Sequence, residues 1–148
     1  MPKPKTAFSK NKELIHFSVG AIIKKQNKIL IIDRKLPPPG LAGVAGHIEE
    51  KESPLQTLER EIKEESGLIL VSHKFLFKKL IPQKEDCVFK AKKHKWYVYE
   101  CKCSGELKPS KKEVNSINYL TIKQIKKLYQ QKKLEYPWLI IFKKLKII

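Results

Sequence analysis

Three carboxylates, Glu61, Glu64 and Glu65, stand at positions i, i+3 and i+4 of a segment that is acidic against the trend of the chain. Seven of the fifteen acidic residues fall between Glu49 and Glu65, while the whole chain carries a formal charge of +17. At that spacing the three side chains share one face of a helix. Like charges so placed repel, at roughly 0.2–0.5 kcal/mol per pair. A solvated helix neutralised by lysines is the ordinary explanation for such a run. The chemical alternative is a platform for a hard divalent cation. Carboxylate oxygens are the donors Mg²⁺ and Mn²⁺ prefer, and Mg²⁺ commonly takes few of them, completing its shell with water and substrate phosphates.

The flanking residues define the helix that would carry them. Ser53 suits an N-cap, Pro54 the first helical position, and Gln56 the third position of a capping box. Gly67 supplies a left-handed residue to end it. The spacing predicts a helix from about Pro54 to Ser66 with Leu55, Leu58 and Ile62 facing the core. Glu52 precedes it in a loop able to fold back towards the carboxylates.

The whole segment reads Gly46, five residues, Glu52, seven residues, Arg60-Glu61-Ile62, one residue, Glu64-Glu65, one residue, Gly67-Leu68. It resembles the signature of the Nudix hydrolases and fills all nine constrained positions without insertion. A match of that length is far more specific than a short glycine motif. The resemblance implies hydrolysis of a phosphoanhydride in a nucleoside diphosphate linked to another moiety, with Mg²⁺ or Mn²⁺ as cofactor. It implies Glu61, Glu64 and Glu65 as metal ligands, with one of them, Glu64 being the candidate, also taking a proton from water. Glu113, from a later loop, is a candidate base or further ligand, against the equal alternative of a surface residue in Lys-Lys-Glu. Arg60 is expected to pair with signature glutamates rather than touch substrate, and Glu52 to join that network. Ala45 stands where many members carry a glycine, and its backbone carbonyl is a candidate metal ligand. His47 follows the signature glycine; an incidental loop histidine is the commoner reading, a phosphate contact the rarer one.

Other functions fit the sequence less well. An RNA 5′-end pyrophosphohydrolase is favoured by the basic charge but disfavoured by the scarcity of arginine. Isopentenyl diphosphate isomerase, which shares the fold class, needs a reactive cysteine and metal-binding histidines early in the chain, where the first cysteine here is Cys87. A non-catalytic Nudix-like nucleotide-binding module usually shows eroded glutamates, and none is eroded here.

At 148 residues the chain is long enough for one domain with a substantial core. The 41% hydrophobic content argues against disorder. Of the thirty-two basic residues only Arg34 and Arg60 are arginine, the residue suited to bidentate phosphate contacts. Free nucleotides are therefore preferred to RNA as partner, with the lysines attracting polyanions generally. Cys87, Cys101 and Cys103 are an odd set, and no suitably spaced histidine completes a zinc site with them. Reduced thiols, no apolar leader and no membrane span are expected of a cytoplasmic protein, monomeric or homodimeric.

Outside the motif, residues 1–13 read as a loose basic segment and 14–148 as the hydrolase domain. His16–Lys24 and Lys28–Asp33 read as strands joined at Gln26-Asn27, and Leu41–Ile48 as a short strand. Leu36–Gly40 reads as a proline-rich loop. Leu68–Ile81 reads as a strand bent near Ser72-His73, Gln83–Lys93 as a charged loop or hairpin, Lys95–Cys103 as a strand, and Glu113–Leu120 as another. Thr121 caps a helix to about Gln131, and Pro137 opens a last one. Its stripe of Trp138, Ile141, Phe142 and Leu145 is expected to dock on the core rather than lie on a membrane. Aromatics such as Trp96, Tyr97, Tyr99, Phe8 and Phe17 are candidates to stack a base, though strand aromatics are more often core. The fold class is α/β: a Nudix-like α/β/α sandwich with a mixed central sheet.

Overall fold

Continuous apolar runs such as residues 29–32 suit strands buried on both faces, and a computed structural model, which describes residues 3–35, 40–82 and 93–148, builds one sheet from them. Its axis is β2 (Leu14–Lys25), most of whose length is buried. On one side β2 runs parallel to β7 (Lys93–Ser104), with Ile15 opposite Lys93 and Ile23 opposite Cys101. β7 in turn pairs antiparallel with β6 (Ile69–Pro82). On the other side β2 meets three short partners in succession: β1 (Thr6–Phe8), β5 (Val44–His47) and the start of β3 (Lys28–Arg34). β3 also pairs with β4 (Leu41–Ala42) and β8 (Val114–Thr121). The sheet is therefore mixed, as expected.

Helices cover both faces. α1 (Pro54–Ser66) lies over the cluster of Val19, Ala21, Ile23, Leu30 and Ile32, into which it sends Leu58 and Ile62. Full burial of each of those two side chains contributes about 1.5–3 kcal/mol. On the opposite face α3 (Tyr136–Lys144) buries Trp138, Ile141 and Phe142 against Ile22, Trp96 and Val98, joined by Ile125 of α2 (Ile122–Gln130). The terminal apolar stripe is thus core. Among the described residues no helix is long and apolar enough to cross a membrane.

Several expectations shift in detail. Residues 1–13, read as loose, include β1, which pairs Thr6 with His16 and Phe8 with Leu14. Leu41–Ile48 divides at Gly43, where a Cβ would come within 2.5 Å of the Trp138 ring. The bend in β6 appears as two register irregularities, between Leu70 and Ser72 and between Phe75 and Phe77. Leu55, assigned to the core, is 37% exposed. Thr57 takes the buried place, its hydroxyl donating to Glu52 Oε1 and to the Ser53 carbonyl. Trp96 and Tyr99 are buried and Phe8 is exposed. The readings for Leu36–Pro39 and Gln83–Lys92 fall outside the described residues.

Candidate functional site

The site begins with how α1 is started and stopped. Ser53 accepts from Gln56 N, and the Gln56 side chain accepts from Ser53 N at 2.8 Å, a complete capping box. Gly67 closes the helix at φ 78°, its N–H bonded to the Lys63 carbonyl. Thirteen residues between these stops fix the rotation at which the glutamates leave the helix.

β5 receives them. A Cβ on Gly46 would lie 2.1 Å from Glu61 Cδ, so the Glu61 carboxyl occupies the space that any other residue at 46 would fill. Glu65 reaches the same strand: Ala45 N donates to its Oε1 at 2.8 Å. The three carboxylates differ in exposure, with Glu65 at 3% against side-chain values of 12% for Glu61 and 49% for Glu64. A single amphipathic face has become a gradient from solvent to interior.

Arg60 ties the solvent end. Its Nε and Nη2 donate to the two oxygens of Glu52 at 2.8 and 2.9 Å, a bidentate pair. Nη1 donates to Glu61 Oε1 at 2.7 Å and Glu64 Oε2 at 3.3 Å, and Nη2 to the His47 carbonyl at 3.1 Å. Glu49 lies 3.4 Å away. One planar guanidinium thus joins the loop before α1 to the helix and to the end of β5; a lysine could not make the forked contacts. Hydrogen bonding from Arg60 holds the Glu52 carboxyl below its usual range.

The buried end has a second arginine that sequence reasoning missed. Arg34, at the end of β3, lies 3.8 Å from Glu65 Oε2 and donates to Glu135 Oε2 at 3.3 Å. Glu135 is the residue preceding α3 and is 2% exposed. Burial opposes the Arg34 charge, and Glu135 and Glu65 more than offset it. The only available signal was rarity: both arginines of a lysine-rich chain serve the same site.

Around these groups lies a cavity of about 250 Å³, lined by Arg34, Ala45, Gly46, Arg60, Glu61, Glu64, Glu65 and Glu113 among others. Glu113, just before β8, is brought there because its carbonyl accepts from Lys35 N, next to Arg34. Burial pushes Glu61 up to about 7, with Glu64 and Glu113 adding to the rise against Arg60. It pushes Glu65 up to about 8, with Glu61 and Glu113 adding to the rise against Arg34 and the Ala45 N–H. Five carboxylates line the cavity, Glu49 beside these four, and two of them resist ionisation, an oxygen-donor set that fits Mg²⁺ or Mn²⁺.

A family model for the NUDIX domain matches residues 14–139. No curated protein sequence matches the chain significantly. Among solved structures it is similar to a NUDIX hydrolase from Nitrosomonas europaea, at 18% identity over 80% of this chain and 79% of that one, with a TM-score of 0.64. A NUDIX-family hydrolase from Clostridium perfringens aligns at 22% identity over 84% and 91%, with a TM-score of 0.62. The NUDIX domain of Shewanella oneidensis NrtR, complexed with ADP ribose, aligns at 16% identity over 88% and 85%, with a TM-score of 0.64. Those identities speak to the fold. With the domain match covering most of the sequence and the signature's Glu61, Glu64 and Glu65 meeting at one cavity, the chain belongs to the Nudix hydrolase family.

Proposed function

We propose that this chain hydrolyses a phosphoanhydride bond in a nucleoside diphosphate linked to another moiety, with Mg²⁺ or Mn²⁺ held by Glu61, Glu64, Glu65 and the Ala45 carbonyl. A bound dication supplies neutralisation of phosphate charge and activation of water. The observation that carries the reading is the convergence of Glu61, Glu64, Glu65 and Glu113 on one cavity with two arginines behind them.

The residues divide the work by exposure. Glu65, buried and oriented by the Ala45 N–H and Arg34, is a fixed ligand. Glu61 is locked between Gly46 and Arg60. Glu64 is the most exposed of the three and the candidate to take a proton from water at the cavity mouth. Glu113 enters from a different element and is the alternative base or an added ligand. Arg60 and Glu52 hold the loop against the helix and do not reach substrate.

The relatives widen the substrate field: one similar structure is described as a UDP-X diphosphatase and another is complexed with ADP ribose. The test is turnover of a panel of nucleoside triphosphates, nucleotide sugars, ADP-ribose, dinucleoside polyphosphates and 5′-triphosphorylated RNA, with Mg²⁺ and with Mn²⁺. Metal-dependent release of a nucleoside monophosphate from at least one small nucleotide is expected. Turnover of RNA alone, falling steeply with salt, would move the assignment to RNA ends. No turnover of any member would leave a nucleotide-binding module.

A further inference from the structure

Parallel pairing of β2 with β7 sets His16 opposite His94, and antiparallel pairing of β2 with β5 sets Ser18 opposite His47. His16 and Ser18 point to the same face of β2, being two residues apart. Three imidazoles from three strands therefore meet on one face, with ring centroids 5.0 to 5.6 Å apart. Ile22, Trp96 and Ala45, in alternation with them, belong to the cluster under α3. This face is the one opposite α1.

We propose that His16, His47 and His94 form a second metal site, for a borderline transition ion such as Zn²⁺, distinct in ligand chemistry from the carboxylate site, which His47 also borders. One ring nitrogen from each residue lies within 4.8 Å of the others. Zinc–nitrogen bonds of about 2.0–2.1 Å put tetrahedral ligand atoms about 3.3 Å apart, so ring movements on the order of 1 Å close the trio onto an ion. His94 is 5% exposed, and its Nε2 has no hydrogen-bond partner among the described residues. Its Nδ1 is 3.1 Å from Ser18 Oγ. With the proton on Nδ1 donated to that hydroxyl, Nε2 presents its lone pair, the arrangement in which a polar neighbour orients a ligating histidine. An apolar trio would pack the same place without desolvating three polar rings. Neutral imidazole is the ligating form, and His16 and His94 lie buried between strands. Nitrogen donors select Zn²⁺, Co²⁺ or Ni²⁺, whereas the carboxylates select Mg²⁺ or Mn²⁺. Three protein nitrogens leave a fourth position open.

The decisive measurement uses the full-length protein with Glu61, Glu64 and Glu65 all changed to Gln, so that the carboxylate site cannot contribute. Zn²⁺ is added in the presence of excess Mg²⁺, and the imidazole nitrogens are followed by long-range ¹H–¹⁵N spectra. The chain's fourth histidine, His73, is exposed and serves as the internal control. One equivalent of Zn²⁺ should shift a nitrogen of His16, His47 and His94 together and leave His73 in place. Zn²⁺ that shifts only His73, or none of the four, overturns the proposal. Ser18→Ala should weaken Zn²⁺ binding about tenfold or more through the lost orientation of His94. Co²⁺ should give tetrahedral visible bands in the same protein and lose them in folded His94→Phe. Bands undiminished in that variant also overturn it.

Discussion

Two crowds of like groups stand on this sheet and avoid their mutual repulsion differently. Glu61, Glu64 and Glu65 come from five consecutive positions of one helix and are met by Arg60 and Arg34. His16, His47 and His94 come from three strands and are kept uncharged by burial, with His16, His47 and Arg34 reinforcing the effect on their neighbours. Anions can be gathered by guanidinium forks because each arginine offers several donors to several carboxylates. Imidazoles need no counter-charge, only removal from water. The carboxylate crowd stays ready to take a cation that Arg60 only partly replaces. The imidazole crowd is a set of lone pairs whose protonation the fold resists.

The largest effect expected on the acidic side is chemical. Glu64→Gln and Glu65→Gln should each lower hydrolysis at least about a hundredfold under matched Mg²⁺ while the circular dichroism spectrum is unchanged. Wild-type rates in both would sever the carboxylates from the reaction. Gly46→Ala comes next, because its methyl would occupy the Glu61 carboxyl's place. A loss of about tenfold or more in kcat is expected from that misplacement. Were kcat/KM untouched, Glu61 would not be held as described. Arg60→Ala should reduce both rate and stability, the latter by roughly 2 kcal/mol in denaturant melts, given partly exposed charge-assisted bonds. An effect on rate alone would mean that Arg60 meets substrate.

The smallest effect, and the one that separates the two crowds, is their opposite response to pH. In cation-free protein Glu61 and Glu65 have folded pKa values raised from 4.5 to about 7 and about 8. The folded state then binds more protons than the unfolded one, so these two groups withdraw stability as pH rises through that window. His47 and His94 are lowered from 6.5 to about 4 and about 3, so they withdraw stability as pH falls below 6.5. Melting temperature against pH should form a dome. Glu65→Gln should flatten its alkaline side, and Mg²⁺ should restore more at pH 8 than at pH 5. An alkaline limb identical in wild type and Glu65→Gln would contradict the burial-driven shift.

What the sequence revealed follows how far apart the partners lie. The caps at Ser53 and Gly67 act over three or four residues, so α1 could be bounded from the sequence and was found between the same residues, Pro54 and Ser66. The signature spacing is likewise local. Arg34, Glu135 and the histidine trio depend on strand order and register, which no spacing along the chain encodes. Cys101 and Cys103 are neighbours in sequence, whereas the imidazoles that meet are separated by whole elements. The exposure of Leu55 has a related cause. Helical periodicity gives a face, but only the sheet's extent decides which turn of that face is covered.

Glu135 connects the last helix to the carboxylate cavity. Its carboxylate meets Arg34, and Arg34 meets Glu65, so the seating of α3 bears on how the innermost glutamate is charged and aimed. A shift in the docking of Trp138 or Phe142 would pass along that relay to Glu65. Variants selected for faster turnover should therefore collect along the tail of the chain as well as around the cavity.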